Sequence, residues 1–137
     1  MNYWLVKSEP FKYSWEQFQK DRKTFWDGVR NYEARNNLRE MRVNDLVLFY
    51  HSNEGLEIVG VATVVKEAYQ DPTTEEKQWV VVDLKPKKNL KRPLTLHEIK
   101  MDPLLKNMQM IKRNRLSVTR VDSQEFEHIM NLTGTRY

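Results

Sequence analysis

Apolar residues run without polar interruption through Tyr3-Trp4-Leu5-Val6 up to Lys7. Such a run predicts a strand covered on both faces, and therefore a central one. Ser8-Glu9-Pro10 ends it, because Pro10 disfavours helix at Glu9 and cannot donate to a ladder. The pattern then turns helical. Ser14 and Gln17 have the spacing of a capping box and Tyr13 and Phe18 that of its hydrophobic staple, predicting a short helix over Trp15–Asp21. Trp15 and Phe18, three apart, share a face of it. Ala34, Leu38 and Met41 predict a second helix from about Tyr32 to Met41. After a turn at Val43-Asn44-Asp45, the segments Asp45–Ser52 and Glu57–Lys66 read as a hairpin around Asn53-Glu54-Gly55. Its second arm is rich in β-branched residues, which suit a pleated surface.

Tyr69–Glu76 reads as a polar loop carrying Asp71-Pro72-Thr73. Gln78–Pro86 reads as a further strand that gives way to a basic, proline-marked stretch ending at Pro93. Thr95 and Glu98 give another capping box, with Leu94 and Ile99 as its staple. Leu104–Arg115 leaves helical turn and strand equally open. Leu116–Val121 alternates as a last strand. Asp122 and Glu125 then open a terminal helix with the stripe Phe126, Ile129 and Met130, and Gly134 lies past its end. Five or six strands with short helices between them predict an α+β fold, a small mixed β-barrel. A chain of 137 residues is expected to form one domain over 1–137.

Composition narrows the classes. There is no cysteine, which excludes a disulfide framework, a thiolate metal site and a cysteine nucleophile. No apolar run has the length of a membrane span, and Met-Asn-Tyr-Trp-Leu-Val-Lys is unlike a signal peptide; a soluble cytoplasmic protein is expected. Mean hydropathy is −0.77 with 31% charged residues, yet four tryptophans and many aliphatics leave enough apolar material to fold. The net charge of +4 is unevenly distributed. Lys85–Arg120 holds eleven of the 23 basic residues and two of the 19 acidic ones, leaving twelve and seventeen elsewhere. That block is consistent with a polyanionic partner and equally with a solvated basic face.

Residues fit for catalysis are scattered. His51, His97 and His128 have no metal-ligand spacing. Ser8, Ser14, Ser52 and Ser117 stand in no nucleophile elbow, and four glycines spread along the chain form no phosphate loop. A non-catalytic role without cofactor or metal is expected.

Trp26-Asp-Gly-Val-Arg-Asn-Tyr-Glu-Ala-Arg-Asn-Asn-Leu-Arg39 is a different kind of segment. Trp26 offers an apolar plate, Gly28 permits close approach or an unusual backbone, and Arg30 and Asn31 supply donors and an acceptor just before a helix N-terminus. Two other polar runs, Lys7-Ser8-Glu9-Pro10 and Tyr50-His51-Ser52, also fall at element ends, where sites are commonly built. Each has a simpler role as well. Trp26 suits a core, Lys7-Ser8-Glu9 a strand end, and His51 and Ser52 the satisfaction of nearby backbone.

These runs resemble the EVE domain: Tyr-Trp-Leu-Val-Lys-Ser-Glu-Pro at Tyr3, Trp-Asp-Gly-Val-Arg-Asn-Tyr-Glu-Ala-Arg-Asn-Asn-Leu at Trp26 and Val-Leu-Phe-Tyr-His-Ser at Val47. Ile-Val-Gly-Val-Ala at Ile58, Ala-Tyr-Gln-Asp-Pro-Thr at Ala68 and Arg-Leu-Ser-Val at Arg115 extend the likeness over essentially the whole chain. Gln70 stands where many members carry proline. The resemblance implies a PUA-like barrel related to PUA, ASCH and YTH domains, and a monomeric module that captures a modified base of DNA or RNA without acting on a membrane. It places Lys7, Ser8, Glu9, Trp26, Gly28, Val29, Arg30, Asn31, His51, Ser52, Leu116, Ser117 and Val118 around the pocket. Arg30, Arg35, Arg39, Lys87, Lys88, Lys91, Arg92, Lys112, Arg113 and Arg115 are the basic residues expected to hold phosphates. The alternative is a binder of a small anionic or heterocyclic metabolite with no nucleic-acid role.

Overall fold

A computed structural model describes residues 1–137. In chain order its elements are β1 (Tyr3–Ser8), α1 (Trp15–Asp21), β2 (Thr24–Phe25), α2 (Tyr32–Glu40), β3 (Leu46–His51) and β4 (Glu57–Gln70). β5 (Val80–Thr95), α3 (Leu96–Met101), α4 (Gln109–Lys112), β6 (Val118–Val121) and α5 (Ser123–Thr133) follow. All six strands join one sheet in the order β2-β5-β4-β3-β1-β6. β1 is central as expected, parallel to β3 and antiparallel to β6.

The expected barrel is not closed. The edge strands β2 and β6 are two and four residues long and do not pair with each other. Repeated register shifts between β4 and β5, such as those at Ile58/Gly60 and Val64/Lys66, are the bulges that bend this half of the sheet.

Both faces of the sheet are covered, which explains the uninterrupted apolar runs. Trp4 and Val6 of β1 and Val47 and Phe49 of β3 join one core with Phe18 of α1 and Ala34 and Leu38 of α2. Leu5, Leu46, Leu48 and Tyr50 point the other way, into a core with Ile99, Met110, Phe126 and Ile129 from α3, α4 and α5. Each fully buried Leu or Phe stabilises the fold by about 1.5–3 kcal/mol relative to exposure. Gly60 is needed for packing, since an added Cβ would lie 2.2 Å from Cζ2 of Trp15. No helix is long and apolar enough to cross a membrane.

Helix ends follow the sequence closely. Thr95 with Glu98 and Asp122 with Glu125 form complete capping boxes, and Gly134 closes α5 at φ 65°. At α1 only half the box forms: Ser14 accepts from the Gln17 N–H, while the Gln17 side chain donates to Asp21 at 2.8 Å. The largest departure is β5. It continues through the basic, proline-marked stretch to Thr95 and carries Pro86 and Pro93 inside it. β2 pairs with β5 only at Asp83 and Leu84, so beyond Leu84 β5 is an edge, where proline and lysine are tolerated. Leu104–Arg115 resolves into turns and the four-residue α4.

Candidate functional site

The parallel pairing of β1 with β3 sets Ser8 opposite His51, so both strands finish at the same end of the sheet. β6, antiparallel to β1, begins there. The Lys7 N–H donates to Ser117 O and the Ser52 N–H to Ser8 O, each at 2.9 Å, tying the three together. The Trp26 segment closes over this end, because the Trp26 N–H donates to Val82 O at 2.8 Å. The result is a cleft of about 780 Å³ lined by Lys7, Ser8, Glu9, Trp26, Gly28, Val29, Ser52, Leu116 and Ser117, all anticipated from sequence. Lys12, Tyr13, Thr24, Phe25, Asp27, Asn53, Asn114 and Arg115 complete the lining. A hollow at the carboxyl ends of parallel strands is where open sheets commonly place a ligand.

Trp26 is both core and wall. It is 8% exposed, lines the cleft and lies close to perpendicular to Phe49 at 5.6 Å and to Tyr13 at 6.2 Å. Trp4, Trp15 and Trp79 donate their indole N–H groups to Asp45, Asn89 and Glu76. The Trp26 indole N–H has no such partner, and it is not among the sealed, unpaired polar atoms. Beside it Phe25 is 42% exposed and offers the larger accessible aromatic surface. Tyr13 is fixed by its hydroxyl, which donates to Asp21 at 2.8 Å; burial first, and Asp21 with it, push its pKa up to about 12.

Four anticipated residues are not on the wall. Arg30 turns to Asp71, with 3.0 Å between Nη1 and Oδ2. Asn31 caps α2, its Oδ1 accepting from the Ala34 N–H at 3.0 Å. Nε2 of His51 accepts from the Trp15 N–H at 3.1 Å and so positions the start of α1. Val118 is fully buried in the core under α2. In each case a nearby unsatisfied backbone group, a buried charge or an apolar core claims the side chain first.

Asp71 is the residue that sequence reasoning missed. Oδ2 accepts from the Gly28 N–H at 3.2 Å as well as from Arg30, and Oδ1 accepts from the N–H and hydroxyl of Thr73 at 2.7 and 2.5 Å. Burial pushes its carboxyl up, but the bonds from Thr73, Arg30 and Gly28 together outweigh that and hold it below the usual value. The left-handed backbone at Gly28, φ 78°, lets its N–H reach this carboxylate; an added Cβ would meet nothing, so conformation rather than space calls for glycine. Only the turn-forming Asp71-Pro72-Thr73 marked the spot in the sequence.

The rim is basic. The Lys7 ammonium donates to Asn114 O at 3.0 Å and Met110 O at 3.4 Å, and burial draws its pKa down. Glu9 is neutralised by Lys12 at 3.2 Å and also accepts from the Asn53 amide. Of the basic residues expected to hold phosphates, Arg30, Arg92 and Arg113 are paired with Asp71, Glu98 and Glu33. Arg35 lies over Tyr32 at 4.9 Å and donates to Gln78 O. Arg39, Lys87, Lys88, Lys91, Lys112 and Arg115 enter no ion pair.

An open sheet with helices on both faces and a polar-rimmed cleft at its parallel-strand end defines a small α+β domain with a candidate binding cleft. Residues 2–132 match the EVE domain model, and the chain belongs to that family. It is 38% identical to thymocyte nuclear protein 1 of Mus musculus, over 98% of this chain and 74% of that protein. For the Gallus gallus protein of the same name the figures are 37%, 95% and 68%. Among solved structures, a protein from Agrobacterium tumefaciens superposes with a TM-score of 0.95 at 40% identity, covering 98% of this chain and 94% of that one. Human THYN1 protein, solved in complex with 5-methylcytosine containing DNA, superposes with a TM-score of 0.90 at 34% identity and full coverage of both chains. An ASCH protein from Zymomonas mobilis, 12% identical with a TM-score of 0.61 over 96% of this chain and 95% of that one, shares the fold alone.

Proposed function

We propose that this chain is a non-catalytic reader that takes a modified base of a nucleic acid into the Trp26 cleft. The observation that carries the reading is the full-length likeness to human THYN1 protein, whose structure was solved with 5-methylcytosine containing DNA. The cleft supports it physically. Its volume lies in the range of pockets for small planar ligands, about 300–1,000 Å³. Extruding a base from a duplex costs a few kcal/mol, and aromatic contact returns about 1–3 kcal/mol per base. Phe25 supplies accessible aromatic surface, and Trp26 an indole N–H that no protein group accepts. Ser52 and Ser117 supply hydroxyls able to read a base edge, while Ser8, whose hydroxyl donates to Tyr13 O, offers an acceptor alone; a mismatched donor or acceptor would be left unpaired. A methyl mark against the apolar wall adds about 0.8 kcal/mol. Arg115, which enters no ion pair, holds a flanking phosphate at the rim.

The test is titration of Trp26→Ala and wild type with oligonucleotides carrying 5-methylcytosine or unmodified cytosine. Mark-dependent affinity in wild type and its loss in the variant are expected; equal binding of both oligonucleotides by wild type would reject the reading. The second reading, a binder of a small anionic or heterocyclic metabolite, draws on the same basic rim. Ligand-dependent thermal shifts with no salt-sensitive oligonucleotide binding would favour it.

A further inference from the structure

Beyond the cleft, the open edge of β5 carries a second feature. A hollow of about 410 Å³ is lined by Gln19, Arg22, Lys85, Pro86, Lys87, Lys88 and Asn89. A third, of about 710 Å³, shares Lys88 and Asn89 with it and adds Lys91 and Arg136. Neither lining contains a carboxylate. Arg22, Lys85, Lys87, Lys88, Lys91 and Arg136 enter no ion pair, whereas Arg30, Arg92, Arg113 and Arg120 all do. In a chain with 19 acidic residues, this run of cations has been left uncompensated. Asn89 sits at the junction with its Oδ1 already occupied by the Trp15 indole N–H at 2.5 Å and the Gln19 amide at 2.7 Å. Its own amide N–H groups therefore remain as donors beside the lysines. The second hollow also adjoins the cleft along the chain, since Arg22 lines the one while Thr24 and Phe25 line the other.

We propose that this edge is a phosphodiester track, along which a nucleic-acid strand runs after leaving the cleft past Phe25 and Arg22, over Lys85–Lys88, towards Lys91 and Arg136. The proposal deepens the reader assignment and rests on it for direction, but the track itself is tested separately. Its extent favours a polymer over a free phosphate: the two hollows share Lys88 and Asn89 and together hold six unpaired cations, Arg22, Lys85, Lys87, Lys88, Lys91 and Arg136, more than one phosphate would engage. Lysines and prolines on an open edge also block strand-to-strand aggregation, and this second role of the same residues must be separated by experiment.

The experiment measures binding of an unmodified single-stranded 20-mer DNA over a range of salt concentrations. It compares wild type, the pair Lys85→Gln with Lys88→Gln, and the control pair Lys20→Gln with Arg120→Gln. The two pairs remove equal charge, but the cations of the control are already held by Glu16 and Glu40. The Lys85/Lys88 pair is expected to reduce the slope of log K against log salt by about 1.4, at about 0.7 per phosphate contact, and the control pair to leave it close to wild type. Equal slopes for both pairs, or no salt-sensitive binding by wild type, would overturn the track. So would self-association of the Lys85/Lys88 pair in sedimentation with an unchanged slope, which would assign those lysines to edge protection alone. Failure of the reader assignment shows differently, as indifference to the mark with the salt response intact.

Discussion

Replacing Asp71 with asparagine tests whether the Trp26 loop is held in shape from outside the cleft. The side chain is fully buried and its two oxygens accept four hydrogen bonds. Asparagine has the same shape but one accepting oxygen. If that oxygen stays with Thr73, an NH2 group faces the Gly28 N–H and the Arg30 guanidinium, and two bonds are lost. A buried N–H left without an acceptor costs about 1–3 kcal/mol. The Arg30 side chain is 37% exposed, so water screens its loss, and its share is below about 1 kcal/mol. The expected cost is therefore about 1–4 kcal/mol, a substantial part of a typical domain stability of about 5–15 kcal/mol. The sign of the pH dependence follows from the depressed carboxyl. Its stabilising contribution is complete above the ordinary carboxylate range, about pH 4, and is lost as pH falls through the lower folded value. Urea unfolding followed by tryptophan fluorescence should show a lowered midpoint for Asp71→Asn at pH 7 and a gap that narrows in acid. Base binding should weaken too, since Gly28 and its neighbours lose their anchor although Asp71 does not line the cleft. A variant with wild-type midpoint and wild-type affinity would show that Trp26–Arg30 holds its conformation without this carboxylate.

Three further outcomes are expected. Gly60→Ala places a methyl against the rigid Trp15 ring, which is fixed by its bond to Asn89, and should cost at least the 1–3 kcal/mol or so of ordinary overpacking; an unchanged urea midpoint would mean that Trp15 can move aside freely. His51 must be neutral at Nε2 to accept the Trp15 N–H; burial pulls its pKa below 6.5 and Glu57 acts weakly against that. Its contribution is complete above that value and lost as pH falls through the folded pKa, so the melting temperature should drop between pH 7 and 5 and do so less in His51→Gln, the two profiles being parallel if the idea is wrong. Phe25→Ala, at an exposed position on an edge strand, should leave the urea midpoint within about 0.5 kcal/mol of wild type while weakening base binding by about 1–3 kcal/mol; a change in stability with binding intact would remove it from the site.

Most helix and strand signals in the chain found their elements, and the reasons are short-range. The capping pairs Thr95–Glu98 and Asp122–Glu125 satisfy backbone donors three residues away. The Ala34-Leu38-Met41 stripe is a matter of helical period, and all three residues are fully buried. The apolar run at Tyr3 declared a strand covered on two faces before any partner was known, and the run at Leu46 declared a strand. The extent of β5 was not legible in the same way. Lysine and proline argue against a strand locally, and only the shortness of β2 makes that stretch an edge where they are accepted.

The site divides along the same line. By its own residues the sequence determined which segments carry unusual chemistry, and of the thirteen residues that the family resemblance placed around a pocket nine line one cleft. Tertiary structure alone decided the rest. Arg30 and Asn31 stand in the most suggestive run of the chain, yet one is claimed by Asp71 and the other by the first turn of α2. Phe25 and Asp71, silent in sequence, became a ring on the wall and the anchor behind it. The physical cause is that a side chain's role is fixed by whichever unsatisfied group lies within about 3 Å of it. For Arg30 that group is 41 residues away along the chain, a distance over which no periodicity or propensity carries information.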